Sequence, residues 1–104
     1  MNIGLDWDGT VTLDPEFWSA FVELAHQYGH VVCVVTFRTQ IEENFLLGVK
    51  LGCPVICTNN ESKQVCALRV GFNVDVWIDD EPQNIIPGRH EFLLARERKD
   101  VNKS

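Results

Sequence analysis

Two groups of carboxylates stand out in this 104-residue chain. Asp6 and Asp8 are spaced by one residue and run into Gly9 and Thr10, and Asp79 is followed at once by Asp80. Each group closes a short segment of strand character, Asn2–Leu5 in the first case and Val74–Ile78 in the second. A turn would account for Asp and Gly side by side. It requires no second acid two residues earlier, and no further pair at the end of another strand. Carboxylates brought together repel unless a cation shares them. A hard divalent ion with oxygen ligands and retained waters removes that repulsion, and magnesium binds in this way alongside a substrate phosphate. The pattern predicts a metal centre drawing on Asp6, Asp8, Asp79 and Asp80.

The elements that must carry these residues alternate between strand and helix. Asn2–Leu5 is a short strand. Asp14 is placed to cap a helix, with Pro15 at its first position, where a missing N–H costs nothing. Phe17, Phe21, Leu24, Ala25 and Tyr28 recur at helical spacing up to Gly29. Val31–Val35 is continuously apolar and β-branched apart from Cys33, the pattern of a strand covered on both faces. Thr39 and Glu42 form a capping box for a second helix, with Ile41, Phe45, Leu46 and Val49 on its inner side and Gly52 at its end. Pro54–Thr58 is the third strand, Asn59–Ser62 a polar turn and Lys63–Val70 a short helix stopped by Gly71. Val74–Ile78 is the fourth strand, and His90–Ala95 is a modest fifth. Alternation of this kind calls for right-handed crossovers and a parallel sheet with helices on both faces, a three-layer Rossmann-like α/β fold. Functional residues then gather at the carboxyl ends of the strands. Residues 1–95 are expected to form one domain, and 96–104 a polar tail.

With the motifs and their order in place, the chain resembles the haloacid dehalogenase-like superfamily, specifically its aspartate-nucleophile phosphatases. Asp6, Asp8 and Thr10 match the Asp-x-Asp-x-Thr signature after the first strand. Thr36 matches the hydroxyl residue that ends the second, Lys63 the lysine near a later helix start, and Asp79 with Asp80 the acidic pair. The resemblance extends from Asn2 to about Ala95 and implies a five-stranded parallel sheet in the order 5-4-1-2-3. It also implies a magnesium-dependent phosphomonoester hydrolase. Asp6 would attack phosphorus while also binding the metal, and Asp8 would shuttle the proton and offer its backbone carbonyl to the ion. Thr36 and Lys63 would hold the phosphoryl oxygens, and Asp79 and Asp80 the ion. Backbone N–H groups around Trp7, Gly9 and Thr10 would complete a phosphate cradle. Arg38, two residues past Thr36, is placed to fork onto a substrate phosphate or carboxylate, or else is a surface arginine near a helix start.

Members of this superfamily often carry a cap over the site. Here Thr12 leads almost directly into the first helix, and one helix and one strand separate Thr36 from Lys63, so no cap is expected. An open site suits a phosphate exposed on a macromolecule, or a small phosphorylated molecule with a neighbouring copy in a homo-oligomer as cover. The 15 acidic against 9 basic residues, a net charge of -6, disfavour extended nucleic-acid binding. No apolar run approaches the roughly 20 residues that span a bilayer. Met1–Thr10 carries two acids and no basic residue, unlike a signal peptide. A cytoplasmic setting is expected. Cys33, Cys53, Cys57 and Cys66 lack the partners of a zinc site, and Cys33 and Cys57 are expected to fill strand interiors. His26, His30 and His90 show no ligand spacing. The alternative to an enzyme is a metal- or phosphate-binding regulatory module on the same fold with little or no turnover. A receiver domain fits less well, since it places its paired acids at the first strand and its phosphoacceptor later.

Overall fold

A computed structural model describes residues 1–39 and 50–87 of the chain. Strand β1 (Asn2–Leu5) runs through a loop and a 3-10 turn, Val11–Leu13, into helix α1 (Pro15–Gln27). Strand β2 (Val31–Thr36), strand β3 (Val55–Cys57), helix α2 (Lys63–Arg69) and strand β4 (Val76–Ile78) follow, with a second 3-10 turn at Pro82–Asn84. The local signals act as expected. Asp14 caps α1 by accepting a hydrogen bond from the Phe17 N–H at 3.2 Å, with Pro15 beside it.

Among the described residues all strand pairs are parallel, and the sheet has four strands in the order β3-β2-β1-β4. This corrects the expected five-stranded sheet in the order 5-4-1-2-3. The neighbours of β1 are the expected ones, but among the described residues no strand pairs with the outer edge of β4. The run proposed as a fifth strand, His90–Ala95, lies outside the described residues, as do the polar tail and residues 40–49 of the second helix expected between Thr39 and Gly52, of which Lys50 and Leu51 are helical. Within that run Phe92-Leu93-Leu94 contains no β-branched residue, and so short an apolar stretch does not distinguish strand from helix. Both outer strands are shorter than expected, β4 because β1 offers it only Ile3, Gly4 and Leu5 as partners.

The main core lies between the sheet and α1. Ile3, Leu5, Val32 and Val34 meet Val11, Val22, Ala25, Leu51 and Cys53, with Trp7, Trp18, Phe21, Val55 and Ile78 packed at its margin. Fully burying a leucine or valine side chain contributes about 1.5–3 kcal/mol, so this layer anchors β1 and β2 firmly. The face of α1 that packs inward is Trp18, Phe21, Val22 and Ala25, a stripe at i, i+3, i+4 and i+7. Phe17, Leu24 and Tyr28, expected in the inner stripe, are exposed. Aromatic and aliphatic residues occupy two adjacent stripes of this helix, and the sheet selects one of them. On the other side of the sheet, Cys33 and Val35 are buried, as are Cys66 and Ala67 on α2. Gly4 is required by its cross-strand partner: a Cβ there would lie 2.7 Å from the Trp77 ring.

Candidate functional site

Register alone brings the carboxylates together. Leu5 pairs with Ile78, so the next residues, Asp6 and Asp79, leave neighbouring strands side by side. The Asp6 N–H donates to the Ile78 carbonyl at 2.9 Å and holds the two exits together. Leu5 also pairs with Val34, which puts Thr36 near the same rim. A small recess of about 130 Å³ opens there, and its walls include Asp6, Asp8, Thr36, Lys63, Asp79 and Asp80.

Lys63 is the centre of the arrangement. Its side chain is 2% exposed, and its ammonium donates to Asp6 Oδ1 at 2.7 Å and to Asp79 Oδ2 at 2.5 Å. The second oxygen of Asp6 accepts from the Thr10 hydroxyl at 3.2 Å, and Asp79 Oδ1 accepts from the Glu81 N–H at 2.9 Å. Burial pushes the Asp6 carboxyl up to about 6, and the neighbouring Asp80 carboxyl, which shares a hydrogen bond with it, adds to the rise, while Lys63 opposes both.

Asp6, Asp79 and Asp80 each offer an oxygen, and these oxygens all lie within 4.8 Å of one another. Three carboxylates against one ammonium leave two negative charges uncompensated, which matches one divalent cation. An all-oxygen, carboxylate-rich set of this kind suits magnesium, so the residues present fit the ion. Gly9 makes room for the cluster: its φ is +82°, and a Cβ there would overlap the Asp80 carboxylate.

Asp8 and Thr36 also line the recess, but their side chains and the loop N–H groups have other partners. The Asp8 side chain is not among the three grouped carboxylates. It is 54% exposed and is gripped by Arg38, whose Nε donates to Oδ2 at 2.8 Å and whose Nη2 donates to Oδ1 at 2.5 Å. The N–H groups of Gly9 and Thr10, expected in a phosphate cradle, serve the loop instead. Gly9 donates to Thr12 Oγ1 at 2.9 Å and Thr10 to the Trp7 carbonyl at 3.3 Å. Thr36 is buried, with its hydroxyl oxygen accepting from the Arg38 N–H at 3.3 Å.

Three residues of the recess were not read from the sequence. Phe37, Glu81 and Asn84 also line the recess. Asn59 and Asn60 both adopt positive φ, +53° and +67°. Their N–H groups donate to the Arg38 and Phe37 carbonyls, at 3.4 and 3.1 Å, which fastens the end of β3 to the exit from β2. This is the start of the polar turn expected over Asn59–Ser62, and asparagine tolerates the left-handed region better than other residues with a side chain. Nothing local marks Phe37 or Asn84.

No family model matches this chain, and no curated protein or solved structure proved significantly similar to it. The structure establishes an α/β unit with a parallel sheet, flanking helices and an aspartate-rich cluster at one rim. Among the described residues, no helix is long and apolar enough to cross a membrane.

Proposed function

We propose that this chain is a magnesium-dependent phosphomonoester hydrolase of the haloacid dehalogenase-like kind, with residues 1–95 as the catalytic unit and Asp6 as the nucleophile. The observation that carries the proposal is the convergence of Lys63, Asp6 and Asp79 in one recess with Thr36 and Asp8. A buried lysine shared by two carboxylates, beside a third, is a costly arrangement for stability alone. It suits a site that must hold a cation and an anion together.

Asp6, Asp79 and Asp80 would hold the ion, with the Asp8 backbone carbonyl as a further ligand. When bound, a divalent cation neutralises the carboxylates and the incoming phosphate, which lets an anionic nucleophile approach an anionic ester. An Asp6 oxygen attacks phosphorus, the bond from phosphorus to the ester oxygen breaks, and Asp8 supplies the proton that the leaving alcohol needs. Water then attacks the phosphoaspartate, its proton goes to Asp8, and the bond from phosphorus to Asp6 breaks to release inorganic phosphate. The Lys63 ammonium and Thr36 hydroxyl hold the phosphoryl oxygens as charge builds on them. Both Asp8 oxygens are engaged by Arg38 in the absence of substrate. A phosphoryl group that draws the guanidinium onto itself frees Asp8 for proton transfer.

That same fork favours a second reading, a metal- or phosphate-binding module in which Asp8 stays locked and turnover is negligible. A phosphatase screen with magnesium, run beside Asp6→Asn, separates the two. Hydrolysis that requires magnesium and disappears in the variant supports the enzyme. Phosphate binding without hydrolysis supports the module, and activity that survives Asp6→Asn removes Asp6 from the central role.

A further inference from the structure

Next to the carboxylate recess lies a larger open cleft of about 480 Å³. The two share Phe37 and Asn84, so they meet along that line. The small recess has room for a phosphoryl group and its ion. The larger cleft is of the size that receives an organic ligand. Resting on the proposed hydrolase activity, we infer that this cleft takes the leaving group of the substrate, and that the leaving group is a nucleoside, making the substrate a nucleoside monophosphate.

The lining carries the chemistry. Val65 and Ile86 supply apolar surface and Phe37 an aromatic ring, while Asn60, Gln83 and Asn84 supply carboxamides. A carboxamide presents donors and acceptors together, which is what the edge of a nucleobase requires. Apolar and aromatic surface is what its flat faces require. The charged residues at the cleft, Glu61 and Arg69, pair with each other at 3.1 Å and leave no net charge to attract a second phosphate or a carboxylate. A neutral, flat group with polar edges fits this balance better than an acidic or purely aliphatic one. The net charge of -6 argues in the same direction, toward a single nucleotide and away from a strand.

The backbone supports the same assignment. Asn60 sits at φ +67° immediately after Asn59 at +53°, a left-handed turn that asparagine tolerates. Its N–H donates to the Phe37 carbonyl at 3.1 Å, which joins the backbones of two residues that line the cleft. Asn84 Nδ2 donates to Glu81 Oε2 at 2.9 Å, which orients that carboxamide. The Lys63 ammonium lies 5.8 Å from the centroid of the Phe37 ring, and Phe37 lines both recesses.

The test uses adenosine, guanosine, cytidine and uridine as probes with the magnesium-loaded full chain, followed by amide NMR shifts and calorimetry. Asn60→Gly is the informative variant, because glycine adopts φ +67° freely and the change removes only the carboxamide. Paired with Gln83→Ala, it removes two neutral hydrogen-bonding groups, worth roughly tenfold in affinity. The expected result is a nucleoside that shifts the Asn60, Gln83 and Asn84 side-chain amides, binds about tenfold more weakly to the double variant, and leaves the urea midpoint of that variant near wild type. Correspondingly, the preference in kcat/KM for a nucleoside monophosphate over glycerol phosphate should fall about tenfold. Failure of all four nucleosides to bind, shifts located elsewhere, or affinity unchanged in the double variant overturns the inference, whatever the activity on small esters. If nucleosides bind at this cleft yet no ester is hydrolysed, the cleft assignment stands and the hydrolase proposal falls.

Discussion

Replacing Lys63 with methionine tests whether the buried lysine holds the carboxylate cluster together. The side chains of Lys63 and Asp79 are each 2% exposed and that of Asp6 is 7%, so solvent cannot screen what remains. Lys63→Met keeps most of the apolar stem and removes the charge, leaving Asp6 and Asp79 facing each other without a counterion. Removing one partner of a buried ion pair costs about 3–5 kcal/mol. A domain of this size has a total stability of roughly 5–15 kcal/mol. With a urea slope of about 1.5 kcal/mol/M, the midpoint should fall by about 2–3 M in the absence of divalent ions. Magnesium bound as proposed would supply the missing charge, and saturation at 100 times its dissociation constant should restore about 2.7 kcal/mol. The assay is urea unfolding followed by tryptophan fluorescence, with EDTA and with magnesium, for wild type and Lys63→Met. Arg69→Ala is the control: Arg69 and Glu61 are 62% and 54% exposed, and the midpoint should not move measurably. A Lys63→Met midpoint within about 0.5 M of wild type in EDTA would refute the buried-triad argument.

The other expectations concern the site and the core. Gly9→Ala forces a Cβ onto Asp80 at a positive φ, so magnesium affinity measured by calorimetry should drop at least about tenfold while far-UV circular dichroism stays unchanged. Unaltered affinity would mean that Asp80 is not a ligand. Asp8→Asn should slow hydrolysis by about 10²–10⁴-fold on an alkyl phosphate and much less on an aryl phosphate, whose leaving oxygen scarcely needs a proton. Equal losses on both esters would remove Asp8 from proton transfer. Arg38→Met should raise KM if the guanidinium moves onto the phosphoryl group; an unchanged KM with faster turnover would mean that it only locks Asp8. Burial pushes the Cys33 thiol up to about 12 and Cys53 to about 11, from an ordinary value of 9.0. Both should resist a thiol reagent at pH 8 in the native protein and react once it is unfolded. Because their folded values are raised, their contribution to stability is complete below pH 9 and declines as pH rises above it, which urea midpoints between pH 8 and 10 would register.

Much of the architecture could be read along the chain because its signals are local. Alternating apolar strands and capped helices lead to a parallel sheet, and strand ends rich in Asp, Thr and Lys lead to a site at one rim. The Asp14 cap and the strand after Gly29 depend on neighbours within a few residues, and both appear as read. The fifth strand did not share that footing, since a short apolar run has no period that excludes helix. The inner face of α1 was equally undetermined: two apolar stripes lie side by side, and only the surface offered by β1 and β2 chooses between them.

The site divides in the same way. Residue type and position at strand ends selected Asp6, Asp79, Asp80 and Thr36, the family resemblance added Lys63 at a helix start, and these five line one recess. Only the tertiary structure decided how they are used. Lys63 reaches Asp6 across 57 positions of sequence because α2 packs over the sheet, and no periodicity encodes that contact. Asp8, two residues from Asp6, turns instead to Arg38, because alternation along an extended chain does not survive the loop that follows β1. Phe37 and Asn84 come together at the boundary of two recesses from separate loops. Residue type and local spacing determine which groups are available for chemistry. Which of them share a proton, a charge or a ligand depends on contacts between distant segments, and those exist only once the sheet has formed.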